Sequence, residues 1–160
     1  MIDAGKVKSR WTIRKYADDD AFARGEAFEE VDIEGNLLLN EGIGVLETLL
    51  IGTGGTTFSN ANARLGVGDS ATVAVATQTG LQAGANKLYK AMEAGFPSIA
   101  GNVTTWRSVF GGADANFAWN EFTVANGGSD ASTNLNRKVS AQGTKTAGQT
   151  WTLDLAITWS

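Results

Sequence analysis

Two carboxylates and three tryptophans are the side chains of this sequence whose types could support chemistry. Glu121 and Asp114 could serve as an acid/base pair of the kind that glycosidases use. Trp106, Trp119 and Trp151 could form a platform that stacks against sugar rings. Glu121 has no second carboxylate in a comparable aromatic context, however, and the tryptophans fall on the apolar face of alternating segments. We therefore expect core packing from the tryptophans and no catalysis from the carboxylates.

Two glycine-rich motifs resemble nucleotide-binding loops but lack their defining residues. Residues 52–57 read GTGGTT, yet no Gly-Lys-Ser/Thr follows, and these glycines come after a predicted helix, whereas a phosphate loop precedes one. Residues 66–70 read GVGDS and lack the third glycine of the dinucleotide fingerprint. We interpret the first motif as a helix end and the second as a turn after a strand. No cofactor is expected.

An acidic cluster near the N-terminus could bind a hard cation such as calcium. It contains three aspartates at residues 18–20, followed by Glu26, Glu29 and Glu30. The loop lacks the Asp-x-Asp-x-Asp-Gly spacing that wraps ligands around one ion. We expect a solvated turn at residues 18–20 and no metal site.

The composition excludes several classes of enzyme. The 160 residues include no cysteine and no histidine, so disulfides, thiol nucleophiles and the Ser-His-Asp triad are all absent. No apolar run approaches the roughly 18–20 residues of a membrane span. Residues 1–6 lack the apolar core of a signal peptide, which favours synthesis in the cytoplasm without membrane insertion. We expect a protein that is not an enzyme and has no membrane partner.

The charges are unevenly distributed along the sequence. The net charge of −4 argues against nucleic acid as a partner. Residues 1–16 carry five cations against one anion, whereas residues 17–34 carry eight anions against Arg24. We interpret residues 1–35 as an extended charged arm. Within it, Trp11 and Ile13 alternate with polar residues, as in an edge strand that adds to a neighbour's sheet.

One segment predicts a helix, residues 36–50. Asn40 is a suitable N-cap, and the apolar residues share one helical face. These residues are Ile43, Leu46, Leu49 and Leu50. The glycines at 52–55 end the helix. Gly42 and Gly44 each weaken it by roughly 1 kcal/mol relative to alanine, so we expect packing to hold it in place.

The remaining pattern is mainly β. Residues 150–160 alternate strictly, with Trp151, Leu153, Leu155, Ile157 and Trp159 on one face, which predicts a half-buried strand. Residues 138–144 and 149–159 are interpreted as a terminal hairpin. The predicted fold is a β-sandwich or partly closed barrel with one short helix and an extended N-terminal arm. Residues 36–160 would form its β-rich core domain.

An ordered series of short blocks in the core domain carries a family resemblance. The blocks are residues 35–43 (GNLLLNEGI), 63–69 (ARLGVGD), 78–81 (QTGL), 114–122 (DANFAWNEF), 135–138 (LNRK), 143–146 (GTKT) and 150–153 (TWTL). This series, which covers about three quarters of the chain, resembles small virion proteins of tailed bacteriophages, of the capsid decoration or cement type. Related blocks are similar to phage tail-fibre and tail-collar modules. Those modules carry an aromatic-Gly-Leu/Ile-Phe step where residues 122–125 read FTVA, which favours the capsid.

The resemblance implies a homotrimer on the capsid surface that clamps neighbouring subunits of the major capsid protein. It carries no catalytic residue, and it places the protein in the virion. Since Trp, Tyr and Arg dominate interface hot spots, the arm supplies the capsid-contact candidates. These are Arg10, Trp11, Ile13, Arg14, Lys15 and Tyr16. The candidates for the core or the oligomer contact are Trp106, Trp119, Glu121, Asn136, Arg137 and Trp151.

Two other functions remain open at this stage. A tail-associated or fibre-like module would recognise host surface glycans through exposed tryptophans. A hydrolase that works with carboxylates alone would depend on Glu121.

Overall fold

The fold is mainly β, as predicted. The computed structural model describes residues 6–160, so the first five residues of the predicted arm lie outside the described part. Strands make up 39% of the protein and helices 11%. The elements are β1 (Val7–Tyr16), α1 (Asp19–Arg24), β2 (Glu29–Glu34), β3 (Leu37–Leu38), α2 (Asn40–Leu50), β4 (Arg64–Gly68), β5 (Lys87–Ala91), β6 (Ser98–Ala100), β7 (Val103–Phe110), β8 (Glu121–Ala125), β9 (Asn136–Val139) and β10 (Thr150–Trp159).

The strands form two five-stranded antiparallel sheets. The first sheet has the order β2-β1-β10-β7-β6, and the second has the order β3-β9-β8-β4-β5. The sheets are not closed into a barrel, so the architecture is the sandwich of the two predicted alternatives. Neither helix within residues 6–160 has the length and apolar character required to cross a bilayer.

The core lies between the inner faces of the two sheets. The alternation predicted for β10 is confirmed, because Leu153, Leu155 and Ile157 have no exposed surface. Aromatic rings fill the centre in edge-to-face pairs, a favoured arrangement. The centroid of the Trp119 ring lies 4.9 Å from that of Trp151 and 4.8 Å from that of Phe110.

The predicted N-terminal arm is wrong for the described residues, because β1 is an interior strand of the first sheet. It pairs with β10 from Val7 to Tyr16 and with β2 on its other side. Trp11 and Ile13 are fully buried in the core. Arg14, on the opposite face of the strand, contacts carboxylates of β2 and β10. Lys15 is itself buried and contacts a carboxylate of β2. Residues 7–34 therefore belong to the sandwich.

The structure has two helices instead of one. Asp18, in the run predicted to be a solvated turn, is the N-cap of α1, and its carboxylate accepts a hydrogen bond of 2.7 Å from the Ala21 N–H. Asp19 and Asp20 then occupy the first turn, where the helix dipole favours negative charge. Gly25, with φ of 70°, ends this helix in the left-handed conformation that glycine adopts without strain.

The predicted helix is present as α2, but its predicted start at residue 36 is wrong, because Leu37 and Leu38 form β3. The predicted N-cap, Asn40, is also wrong. Leu39 occupies the N-cap position and makes no capping hydrogen bond. Instead, Glu41 Oε1 accepts hydrogen bonds from the N–H groups of Gly80 (3.2 Å) and Asn134 (2.9 Å). The start of the helix is thus held by loops that flank the second sheet.

The predicted terminal hairpin is wrong. β9 pairs with β8 and β3 in the second sheet, whereas β10 pairs with β1 and β7 in the first. The intervening segment crosses from one sheet to the other. Lys145 anchors this crossing, since its Nζ donates hydrogen bonds of 2.8 Å to Gly111 O and Asn116 Oδ1.

Candidate binding site

Four of the six capsid-contact candidates have almost no surface to offer a partner. Trp11 and Ile13 are fully buried, while Lys15 and Tyr16 are only 6% and 7% exposed. Lys15 Nζ lies 4.6 Å from the centroid of a tryptophan ring in β10 and donates to the Gln142 carbonyl at 2.8 Å. These side chains stabilise the sandwich, so their assignment as capsid contacts is wrong.

Arg14, a fifth candidate, belongs to a row of alternating charges that we call the outer-face ladder. The ladder consists of Glu30, Arg14, Asp154, Arg107 and Glu93. Asp154 lies at its centre, 3.2 Å from Arg14 Nη1 and 2.6 Å from Arg107 Nη2. Burial alone would lower the pKa of Arg14, but its hydrogen bonds to Asp154 and Glu30 raise it above the ordinary value. Only Arg10, the sixth candidate, is well exposed.

The three tryptophans considered as a sugar platform are core residues. Trp106, Trp119 and Trp151 are at most 5% exposed. The indole N–H of Trp106 donates to Phe58 O, and that of Trp119 to a main-chain carbonyl, both at 3.1 Å. Of the five tryptophans, only Trp159 has appreciable exposed surface, at 37%. Trp159 is therefore the one tryptophan with enough exposed surface to stack against a glycan.

The two carboxylates considered as an acid/base pair are each bound by other groups. Asp114 accepts from Lys90 Nζ at 2.5 Å and from the Gly111 N–H at 2.9 Å. Burial alone would raise the pKa of Asp114, but these contacts and the charge of Lys145 lower it. Burial lowers the pKa of Lys145 itself. Burial has the opposite effect on the Tyr89 hydroxyl and raises its pKa, because the charged form of tyrosine is the deprotonated one.

Glu121 and Arg137 lie together in a fully buried cluster. The Glu121 carboxylate accepts the N–H groups of Gln82 (2.9 Å) and Ala83 (2.7 Å), and Arg137 Nε donates to it at 2.7 Å. Gly68 is adjacent, and a Cβ there would overlap Glu121 Oε1. The cluster joins β4, β8 and β9 to the loop before β5. The assignment of Glu121 and Arg137 as core residues is consistent with this arrangement.

Asn136 also has a core role. Its Oδ1 accepts the Val124 N–H at 3.0 Å, and its main-chain carbonyl accepts the Thr123 hydroxyl at 2.7 Å. The side chain supplies a partner for a main-chain N–H of β8, and main-chain pairing resumes beyond it, where the Leu135 N–H donates to Val124 O at 2.8 Å.

A cavity of about 450 Å³ opens where β3 meets β9. Its walls come from three separate segments. The lining residues include Asn36, Leu37, Val73, Ala74, Arg137 and Val139. Two of these residues carry a buried nitrogen without a hydrogen-bond partner, namely Asn36 Nδ2 and Arg137 Nη2. Buried donors of this kind are uncommon and call for an explanation. The arrangement can accept a ligand group that supplies hydrogen-bond acceptors.

Exposed apolar side chains belong to the segments that form this cavity, and two of them, Leu37 and Val73, line it. Leu37, Val73 and Val75 are 36%, 76% and 50% exposed. We call these three residues the apolar rim. Sequence reasoning missed the site because its walls are far apart in the chain. Arg137 was singled out only as a core or oligomer candidate.

Within residues 6–160, no group of three or more acidic side chains is arranged to hold a metal ion. Asp18 caps α1, and the Asp19 carboxylate accepts the Thr150 hydroxyl. These two aspartates of the acidic run therefore have structural roles.

Comparison with protein-family models, with curated proteins and with solved structures found no match for this chain.

Proposed function

We propose that this protein is a bacteriophage capsid decoration or cement protein. It binds the outer surface of the head as a homotrimer and clamps neighbouring subunits of the major capsid protein. The trimer and the capsid partner come from the resemblance of residues 35–153 to small virion proteins of tailed phages. The observation that carries the proposal is the exposed apolar surface around β3 and α2.

Six large apolar side chains of this region are exposed, out of ten in the part of the chain that the structure describes. They comprise the apolar rim together with Ile43, Leu50 and Ile51. The two segments that carry them are in contact, since the Asn40 N–H donates to Ala76 O at 2.8 Å. Apolar surface concentrated in one region of a small protein is typical of a protein–protein interface.

The outer face of the first sheet has the opposite character. The outer-face ladder pairs its charges with one another across four strands, and its central Asp154 is buried while Arg14 and Arg107 are partly exposed. Such a face offers a partner few free charges, because each already has a counter-charge within the ladder. We therefore assign the capsid contact to the β3–α2 side, in place of the N-terminal residues that the sequence favoured.

A cement protein acts by binding alone, and several modest contacts suffice. A trimer that touches several capsid subunits gains avidity through its multiple attachments. The stiff sandwich keeps the apolar surface in a fixed geometry, which limits the entropy lost on binding.

Co-sedimentation with phage heads tests the proposal. The purified protein is mixed with expanded heads that lack it, and with dissociated capsid subunits as the control. We expect binding to heads that saturates at a fixed ratio to the capsid subunit, with far weaker binding to the dissociated subunits. Absence of binding by protein that is folded by circular dichroism would contradict the proposal. Binding to tails or host-cell glycans would then identify the tail-associated alternative.

A further inference from the structure

The fully buried side chain of Lys145 has no carboxylate partner. Its Nζ donates to Gly111 O and to Asn116 Oδ1, both at 2.8 Å, and both of these acceptors are uncharged. Within residues 6–160, no carboxylate oxygen lies within 4.0 Å of this nitrogen. A charged lysine is almost never fully buried without a counter-ion. The surroundings of Lys145 therefore favour the neutral amine over the ammonium.

A neighbouring cation acts in the same direction as burial. Burial lowers the pKa of Lys145 below its ordinary value of 10.5, and the positive charge of Lys90 lowers it further. Asp114 and Asp19 oppose these two effects, but Asp114 is itself bound to Lys90 Nζ at 2.5 Å. Lysines that serve as nucleophiles in proteins are activated in the same two ways, by desolvation and by a nearby cation.

The side-chain amide of Asn116 is held against this amine. Its Oδ1 accepts from Lys145 Nζ, and its Nδ2 donates to Gly112 O at 3.0 Å, so both ends of the amide are fixed. A carbonyl bond is about 1.2 Å long, which places Asn116 Cγ at most about 4 Å from Nζ. Reacting atoms in productive complexes are roughly 3–3.5 Å apart, so a movement of less than about 1 Å brings the amine to this carbon. Asn116 is exposed, which gives a small leaving group a direct path to solvent.

The main chain fixes the two residues in this arrangement. The Lys145 N–H donates to Phe117 O at 3.1 Å, next to Asn116 in the chain. Ala115, which precedes Asn116, has φ of 48° and is the one non-glycine residue among residues 6–160 in the left-handed region. Its carbonyl accepts the indole N–H of the buried Trp119 at 3.1 Å. Backbone strain of this kind persists only where the surrounding structure imposes it, and it is concentrated at functional sites.

We propose that Lys145 and Asn116 form an intramolecular isopeptide bond. The neutral Nζ attacks Asn116 Cγ, the new carbon–nitrogen bond forms, and the bond from Cγ to Nδ2 breaks. One proton moves from the attacking nitrogen to the departing one, and ammonia leaves. Ammonia then takes up a proton from solvent, which replaces the one that the lysine ammonium released before the attack. The products are a secondary amide and one ammonium ion, so atoms and charge balance without another reactant.

The bond connects two segments that each pass from one sheet to the other. Lys145 lies in the crossing from β9 to β10, and Asn116 lies in the crossing from β7 to β8. The link closes a loop of about 30 residues, which restricts the unfolded chain and so favours the sandwich. This inference goes beyond the proposed function and does not depend on it.

Mass spectrometry of the natural protein under denaturing conditions tests the proposal. We expect an intact mass lower than that of the sequence by one ammonia, about 17 Da. Trypsin should release residues 108–137 joined to residues 139–160, because an acylated Lys145 is no longer cleaved. An intact mass equal to that of the sequence, together with residues 139–145 as a free peptide, would overturn the inference.

The tryptic peptides also exclude another source of the same mass loss. Cyclisation of Asn126 onto the nitrogen of Gly127 releases ammonia as well, but it leaves residues 108–137 and 139–145 as separate peptides. A mass loss without the joined peptides would therefore overturn the assignment to Lys145 and Asn116.

Three variants identify the bond. Lys145→Arg and Asn116→Ala should each have the full mass of their own sequence, since each lacks one reacting group. Lys138→Arg is the matched control, because Lys138 Nζ donates to a main-chain carbonyl, Glu34 O, at 2.7 Å. Lys138→Arg should keep both the mass loss and the joined peptides. A mass loss that persists in Lys145→Arg would contradict the proposal, and the natural protein gives its own result even where a variant fails to fold.

Discussion

Arg137 Nε donates a 2.7 Å hydrogen bond to Glu121 Oε2, and neither side chain has any exposed surface. The pair joins β8 to β9, and its remaining bonds reach the loop between β4 and β5. Its geometry explains how the second sheet tolerates two buried charges, since each has its counter-charge and further hydrogen bonds.

Replacing Arg137 by methionine should destabilise the protein by about 3–5 kcal/mol, because it leaves the buried Glu121 carboxylate without its cation. The double variant Glu121→Gln/Arg137→Met should be more stable than Arg137→Met alone. Glutamine is neutral, and its one carbonyl oxygen still accepts a main-chain N–H. Urea denaturation of the single and double variants measures the coupling. Strictly additive losses would show that the two side chains do not stabilise each other.

Replacement by alanine should change the stability of the protein in opposite directions at the two glycines of α2. A Cβ at Gly42 would lie 2.5 Å from Leu135 Cα and 2.6 Å from its carbonyl oxygen, whereas one at Gly44 would meet no atom within 4 Å. Gly44→Ala should therefore stabilise the protein by about 0.5–1 kcal/mol through helix propensity. Gly42→Ala should destabilise it, because the helix must move away from the main chain of Asn134 and Leu135, which precede β9. The midpoints of urea denaturation test this pair, and equal effects would contradict the close packing.

The position of β1 predicts the effect of changing its residues. Trp11→Ala should cost about 3–5 kcal/mol, as for other large aromatic residues removed from a core. Arg10→Ala, on the exposed face of the same strand, should change stability by less than about 0.5 kcal/mol. Deletion of residues 1–16 should abolish cooperative unfolding, because it removes a strand from the middle of the first sheet. A deleted protein that still unfolds cooperatively would show that the arm interpretation was correct.

Asp114 predicts a specific dependence of stability on pH. Its pKa is lower in the folded protein than its ordinary value of 3.8, chiefly because Lys90 and the Gly111 N–H offset the effect of burial. The folded state therefore binds fewer protons than the unfolded state. This contribution to stability is fully present above about pH 4 and is lost as the pH falls through the lower, folded-state pKa.

Asp114→Asn should remove that contribution. The difference in the free energy of unfolding between the natural sequence and Asp114→Asn should be larger at neutral pH than at about pH 3. Glu47→Gln, which removes an exposed carboxylate of α2, serves as the control. A constant difference at all pH values would indicate that Asp114 has the same pKa in both states.

Local patterns in the sequence predicted single elements well. The alternation of residues 150–159 predicted β10 and its buried face, and the apolar spacing with the glycines after residue 51 predicted α2. Both signals depend on the residues of one segment alone. Partners distant in sequence leave no such signal. Residues 138–144 were paired with 149–159 because they are close in the chain, whereas β10 pairs with β1 and β7.

The cavity was beyond prediction for a related reason. Its donors, Asn36 and Arg137, are about a hundred positions apart, and each is a common surface residue type. The sheet register pairs Leu37 with Arg137, so segments that are distant in the chain line one cavity. The residues that neighbour a charged residue in the chain do not show whether that residue is buried or solvated.

The pairing of β1 with β10 has a consequence for the protein during its synthesis. Residues 7–16 find their main partner only at residues 150–159, and the Ser160 N–H donates back to Lys6 O at 2.9 Å. At roughly 5–20 residues per second, the ribosome needs on the order of ten seconds to make the intervening chain. Until then, β2 is the one strand of the first sheet with which β1 can pair. The first sheet therefore closes after translation has passed residue 159, and protection of this strand by a ribosome-associated chaperone should increase the yield of folded protein.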